Sequence, residues 1–227
     1  MKINHISIIM DGNRRWAIKN GLNIQAGYEQ GIITLKKIIK TILENEIKYL
    51  TVYAFSYENW NRPLKEIAIL INTGMNFILE NEDFFMENNI KCVIIGNKDL
   101  IPQALANIIN ETEEKTKNNT GLNFQIALSY GSRNEILRAS VKYSRFLAND
   151  GIISEQEFSK FLDTHNIPDP DILIRTGGEN RLSNYLLWQI AYTEIFFQET
   201  LWPDFSSEEL YKILEKFYKI NRRYGAI

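Results

Sequence analysis

The sequence predicts an α/β fold, with about six mostly parallel strands surrounded by helices. Two observations carry that prediction. Short apolar, β-branched runs recur along the chain, and longer amphipathic stretches separate them. A third observation concerns function: turn-forming and charged residues cluster where the runs end. Such sheets place ligands beyond the carboxyl ends of their strands. The chain has 227 residues, 44% apolar and 24% charged, enough for a substantial core. No repeat or low-complexity linker interrupts it, so residues 1–227 are expected to form a single domain.

In chain order, buried strands are expected at 6–10, 49–55, 90–95, 123–129, 171–174 and 194–198. Helical patterns fill the intervals. In 27–44, Ile32, Leu35, Ile38, Ile39 and Ile42 recur at helical spacing. Similar patterns cover 67–87, 98–117, 133–147, 154–163 and 206–222. Residues 118–121 and 166–170 have the composition of turns.

Composition excludes several classes. A net charge of -2 argues against a general polyanion binder, so no nucleic-acid partner is expected. The single cysteine, Cys92, allows no intramolecular disulfide, which suits a reducing compartment. His5 and His165 are the only histidines, so a histidine-rich metal site is not expected. No apolar run approaches the roughly 18 residues of a membrane span, and the first residues do not resemble a signal peptide. A cytoplasmic location is the expectation.

The chemistry gathers at the strand ends. Residues 5–16 are H-I-S-I-I-M-D-G-N-R-R-W, an apolar run ending in Asp11, then Gly12, Asn13, Arg14, Arg15 and Trp16. Free amides at a helix start and guanidinium forks suit a metal-bound diphosphate. Alone, Asp-Gly-Asn is an ordinary turn sequence. The second strand is followed by Ser56, Tyr57, Glu58, Asn59, Trp60, Asn61, Arg62 and Pro63, more hydrogen-bonding types than a connector needs. After the fifth come Arg175, Thr176, Gly177, Gly178 and Glu179, where the paired glycines permit a backbone nest flanked by Arg175 and Arg181. Glu194 opens the last strand before Ile195, and a partly buried carboxylate there needs a partner or a metal. Of ten arginines, seven stand in such motif-like segments: Arg14, Arg15, Arg62, Arg175, Arg181, Arg222 and Arg223.

Together, Met10-Asp11-Gly12-Asn13-x-Arg15-Trp16, Phe55-Ser56-x-Glu58-Asn59-Trp60-x-Arg62-Pro63, Ile174-Arg175-Thr176-Gly177-Gly178-Glu179 and Leu201-Trp202-Pro203-Asp204-Phe205 resemble the cis-prenyltransferase (undecaprenyl diphosphate synthase) family. The resemblance spans nearly the whole chain in order. It implies a hydrophobic tunnel, a homodimer, and addition of isopentenyl diphosphate to an allylic diphosphate, usually farnesyl diphosphate. It implies a catalytic Asp11 holding Mg²⁺, with Gly12, Asn13, Arg14, Arg15 and Trp16 on the allylic diphosphate. Arg175, Arg181, Leu182 and Ser183 match the isopentenyl diphosphate site. Ser56, Tyr57, Glu58, Trp60 and Arg62 match a substrate-positioning loop. Asn59 matches a position assigned as proton acceptor, although an amide is a poor Brønsted base. Glu194 matches a carboxylate tied to metal binding, its alternative being an acid paired with an arginine. Arg222-Arg223-Tyr224-Gly225 resembles a tail that reaches a neighbouring subunit.

The chain also departs from the family pattern. Ile24, Tyr28 and Asn180 stand where arginine, histidine and histidine are usual, and Arg14 often is glycine in relatives. Tyr28 remains a candidate substrate contact, and either weaker diphosphate binding or compensation by Arg14 is expected. Ile67, Leu70, Ile71, Met75, Phe77, Ile78, Phe84 and Phe85 are tunnel candidates, as equally they are ordinary core; Gly74 leaves room, and Leu122 falls at the tunnel end. No insertion follows this helix, which favours a bacterial-length product. Because the product is a lipid, peripheral membrane contact is expected near the tunnel mouth. Alternatives are a shorter-chain synthase and a non-catalytic isoprenoid-binding subunit, which usually loses the aspartate or arginines kept here. A phosphohydrolase would need a second acid where Asn13 stands.

Overall fold

The computed structural model describes residues 2–222. The strands are β1 (His5–Ile9), β2 (Tyr49–Ser56), β3 (Lys91–Ile95), β4 (Asn123–Tyr130), β5 (Ile172–Arg175) and β6 (Glu194–Phe197). They form one sheet in the order β3-β4-β2-β1-β5-β6, and every neighbouring pair is parallel. The helices are α1 (Asn13–Lys19), α2 (Ile24–Glu44), α3 (Leu64–Glu80), α4 (Glu82–Glu87), α5 (Gln103–Thr116), α6 (Ser132–Leu147), α7 (Glu155–Ser159) and α8 (Ser207–Tyr218).

Local chemistry explains where these elements differ from the sequence expectation. The 67–87 pattern divides at Asn81, whose side-chain amide donates to Phe77 O at 2.6 Å and ends α3. Pro102 divides 98–117 into a 3-10 turn at Lys98–Leu100 and α5. The chain enters α2 three residues early, because Asn23 Oδ1 caps it by accepting the Ala26 N–H. The 154–163 pattern shrinks to α7, capped by Ser154.

Both faces of the sheet are covered. Ile6 and Ile8 of β1 pack with α2, α3 and α8 on one face. Ile9 packs with Leu173, Tyr130, Tyr185, Leu186 and Ile190 on the other. This period-2 split makes β1 and β5 buried along their whole lengths.

Register then positions the site. Ile9 lies opposite Tyr53 of β2 and opposite Arg175 of β5, so β1 and β5 end abreast while β2 runs on to Ser56 beside them. The chain leaves β1 towards β2 on one side and returns as β5 on the other, which opens a crevice at this end. Helix α1 starts there and is seated tightly against α2. A Cβ on Gly27 would lie 2.3 Å from Asn13 O, and one on Gly31 would lie 2.2 Å from Asn13 Oδ1. Only glycine permits that crossing.

Candidate active site

The strand ends enclose an open cleft of about 910 Å³. Asp11 stands at its base, just past β1. Its Oδ2 accepts from Arg175 Nη2 at 2.9 Å, and its Oδ1 lies 3.1 Å from Arg15 Nη2. Gly12 then turns the chain into α1 with φ of 119°, and a Cβ there would strike Leu201 at 2.9 Å. The first intrahelical bond runs from Trp16 N–H to Gly12 O, so the amides before it have no partner within the helix.

Arg175 is nearly buried and bridges two segments. It binds Asp11, donates to Ser183 Oγ at 2.8 Å, and also donates to the Arg181 carbonyl. The 181–183 turn is therefore tied to the end of β1 through one guanidinium. Arg181 itself pairs with Glu179 and stays mostly exposed, as does Arg14. Arg15 also lies 3.7 Å from Glu179.

The mouth of the cleft has a second charge cluster around Glu66, which is 6% exposed. Its Oε1 accepts from Arg62 Nη1 at 2.8 Å and from the Tyr28 hydroxyl at 3.1 Å, and its Oε2 lies 3.5 Å from Arg14 Nη1. Burial pushes the Tyr28 phenol up to about 12, so it remains a neutral donor. The cluster joins α1, α2, the residue that follows the 3-10 turn Tyr57–Asn61, and the first turn of α3.

That 3-10 turn is shaped by reciprocal bonds. Asn59 N–H donates to Ser56 Oγ, and Asn59 Oδ1 accepts from Ser56 N–H at 3.0 Å. The Asn59 side-chain oxygen is thus engaged with backbone. Glu58 accepts from Asn184 Nδ2 at 2.7 Å and ties the turn to the segment after β5.

The structure brings Asp11, Gly12, Asn13, Arg14, Arg15, Tyr28, Ser56, Glu58, Asn59, Arg62, Arg175, Arg181 and Ser183 to this cleft. It does not bring Trp16, Tyr57, Trp60, Leu182 or Glu194 there. The Trp16 indole donates to Asp204 at 2.6 Å and the Trp60 indole to Ser129 at 2.9 Å. Leu182 packs into the apolar cluster around Tyr185, and Tyr57 is exposed. Glu194 pairs in register with Ile172, at the strand end opposite the cleft, and Arg222 Nε lies 4.0 Å from it. Within this chain Glu194 is an acid near an arginine and is no companion of Asp11. Arg223, Tyr224 and Gly225 of the expected tail lie outside the described residues. The nest expected at Gly177-Gly178 is also corrected: both N–H groups donate to carbonyls, of Thr200 and Gln198, at 2.8 Å.

Sequence reasoning missed Glu66, Tyr53 and Asn184. An acid in the first turn of a helix is ordinary, so Glu66 gave no local signal. Tyr53 lies within an apolar strand, and its hydroxyl donates to Tyr130 O at 3.0 Å. The Leu201–Phe205 motif acts through structure: Trp202 N–H donates to Asp11 O at 2.9 Å and its indole to Gly31 O at 2.9 Å.

Behind the cleft lies a narrow apolar cavity of about 70 Å³, walled by Leu35, Phe55, Ile71, Gly74, Phe77 and Ile78 among others. Met10, Ala54 and Leu70 border both spaces. Leu122, expected at a tunnel end, is buried core and does not line the cavity. An anionic head against the arginines and an apolar tail in the cavity would therefore be contiguous.

The donor set also bears on a cation. Among the described residues no group of three or more acids, histidines or cysteines could form a protein-only metal cage. Glu58 and Glu66 tie neighbouring loops and helices together, whereas Asp11, its oxygens facing Arg175 and Arg15, is the carboxylate at the cleft base. Mg²⁺ is commonly held by one or two carboxylates plus substrate phosphates and water, and one carboxylate beside guanidinium groups fits that sharing.

The chain as a whole is similar to known proteins. Residues 9–225 match the family model described as "Putative undecaprenyl diphosphate synthase". The isoprenyl transferase of Fusobacterium nucleatum is 44% identical, over 98% of this chain and 96% of that protein. The isoprenyl transferase of Treponema denticola is 45% identical, over 99% and 98%. Among solved structures, lavandulyl diphosphate synthase from Lavandula x intermedia, in complex with dimethylallyl diphosphate, superposes with a TM-score of 0.95 at 33% identity, covering 99% of this chain and 98% of that one. A probable undecaprenyl diphosphate synthase from Campylobacter jejuni gives 0.85 at 33% identity, with 99% of each chain covered.

Proposed function

We propose that this chain, which belongs to the undecaprenyl diphosphate synthase family of prenyltransferases, is a cis-prenyltransferase that condenses isopentenyl diphosphate onto an allylic diphosphate, with farnesyl diphosphate as the starter. Repeated condensation would give a long-chain polyprenyl diphosphate of the undecaprenyl type, the carrier-lipid precursor of cell-wall synthesis. The observation that carries the reading is the contiguity of an arginine-lined cleft with an apolar cavity through Met10, Ala54 and Leu70.

The allylic diphosphate is assigned to Asp11, the free amides at the start of α1, Arg14 and Arg15. Isopentenyl diphosphate is assigned to Arg181, Ser183 and the edge of Arg175. Asp11 would hold Mg²⁺ together with substrate oxygens. When bound, the ion neutralises charge on the departing diphosphate. The arginines stabilise the same developing charge as the allylic C1–O bond breaks. The π electrons of the isopentenyl double bond then form the new bond to C1. A proton leaves C2 as the next double bond forms, and diphosphate oxygen is its acceptor. Asn59 orients the loop and has no role as a base.

Two further features support assembly and location. The edge strand β6 exposes Ile195 and Phe197, and α6 exposes Leu137 and Val141 one turn apart. Unpaired strand edges and apolar patches favour association, so a homodimer is proposed. Among the described residues no helix is long and apolar enough to cross a membrane. A cytoplasmic enzyme that touches the membrane only to release its lipid product is consistent with this.

One observation favours a second reading. The narrow apolar cavity suits a shorter chain unless α3 moves outward as the product grows. Incubating the pure protein with farnesyl and labelled isopentenyl diphosphates, with and without Mg²⁺, tests both readings. Magnesium-dependent elongation is expected, and chain-length analysis separates long from short products. Absence of any elongation would overturn the assignment.

A further inference from the structure

We propose that Thr176 is a positioning residue for the Asp11 carboxylate, an inference that rests on the reading of Asp11 as the residue that would hold Mg²⁺. Thr176 follows β5 and is fully buried. Its hydroxyl meets both backbone groups of Asp11: Oγ1 accepts from Asp11 N–H at 3.1 Å and donates to Asp11 O at 2.8 Å. Those two groups belong to the peptide planes on either side of the Asp11 Cα. One hydroxyl therefore fixes both planes, and with them the direction in which the carboxylate projects. Only a group that both donates and accepts can do this from a single atom.

The position needs such a clamp. Asp11 has left the ladder of β1, and Gly12, the next residue, places little restriction on the backbone. The hydroxyl is not required to satisfy either backbone group. Asp11 N–H also donates to Ile9 O at 3.0 Å, and Asp11 O also accepts from Trp202 N–H at 2.9 Å. Removing the hydroxyl leaves neither group without a partner, so its contribution is to geometry more than to folding. Groups that orient a metal-binding side chain in this way commonly change metal affinity when lost.

The test uses calorimetric titration of the full-length protein with an unreactive thiolo analogue of farnesyl diphosphate, with and without Mg²⁺. In the unaltered protein Mg²⁺ should tighten binding. Thr176→Val should cut that magnesium-dependent gain by about tenfold while leaving magnesium-free affinity unchanged. Thr176→Ser should restore the gain. Thr176→Ala removes the hydroxyl with less crowding and serves if the valine variant folds poorly. An unchanged gain in a folded Thr176→Val or Thr176→Ala protein overturns the inference alone. No gain from Mg²⁺ in the unaltered protein overturns the magnesium assignment of Asp11, and the inference with it.

Discussion

Arg14 shows how a single side chain gains meaning from its neighbours. Its guanidinium lies 3.5 Å from Glu66 and is 59% exposed. Such a pair is weak, so under the proposed function an incoming diphosphate would capture Arg14 at little cost. The sequence expectation that Arg14 compensates for Ile24 and Tyr28 thus acquires a route. Glu66 holds Arg14 beside the cleft, with Arg62 and the Tyr28 hydroxyl sharing the carboxylate. A charge-assisted hydrogen bond contributes about 1.5–3 kcal/mol. Arg14→Gly should therefore raise the allylic diphosphate KM by about tenfold or more, with kcat changed much less. An unchanged KM in steady-state kinetics would remove Arg14 from the binding set.

At the scale of elements, α3 connects the charged mouth to the apolar cavity. Glu66 lies in its first turn, while Leu70, Ile71, Gly74, Phe77 and Ile78 face the cavity. Gly74 is the unusual member. A Cβ there would meet no atom within 4 Å, so packing does not demand glycine. Gly74→Ala should stabilise the protein by up to about 1 kcal/mol, measured by denaturant unfolding. Gly74→Phe should fill the cavity and shorten the products, read by chromatography of the reaction mixture. A full-length product distribution from that variant would show that the chain grows elsewhere. The helical period of this segment was plain in the sequence, but the break at Asn81 was not. It depends on one side-chain amide returning to Phe77 O.

For the whole molecule, the proposed dimer makes a separate prediction. Replacing the exposed Leu137 and Val141 of α6 by glutamate should leave the fold intact and yield a monomer in sedimentation experiments, if this face is the interface. A doubly substituted protein that sediments as a dimer would place the interface elsewhere.

The strands, their alternation with helices, and most of the residues that meet at the cleft were legible in the sequence. Apolar periodicity is local, and a parallel sheet necessarily presents its strand ends together. What each polar group contacts depends on how the chain folds back on itself. The fold turned Arg175 inward to Asp11 and Ser183, across separations of 164 and 8 residues. It filled the Gly177-Gly178 amides with the Thr200 and Gln198 carbonyls and set Thr176 against Asp11. These outcomes follow from strand register and long-range hydrogen bonding, which fix partners that no local pattern specifies.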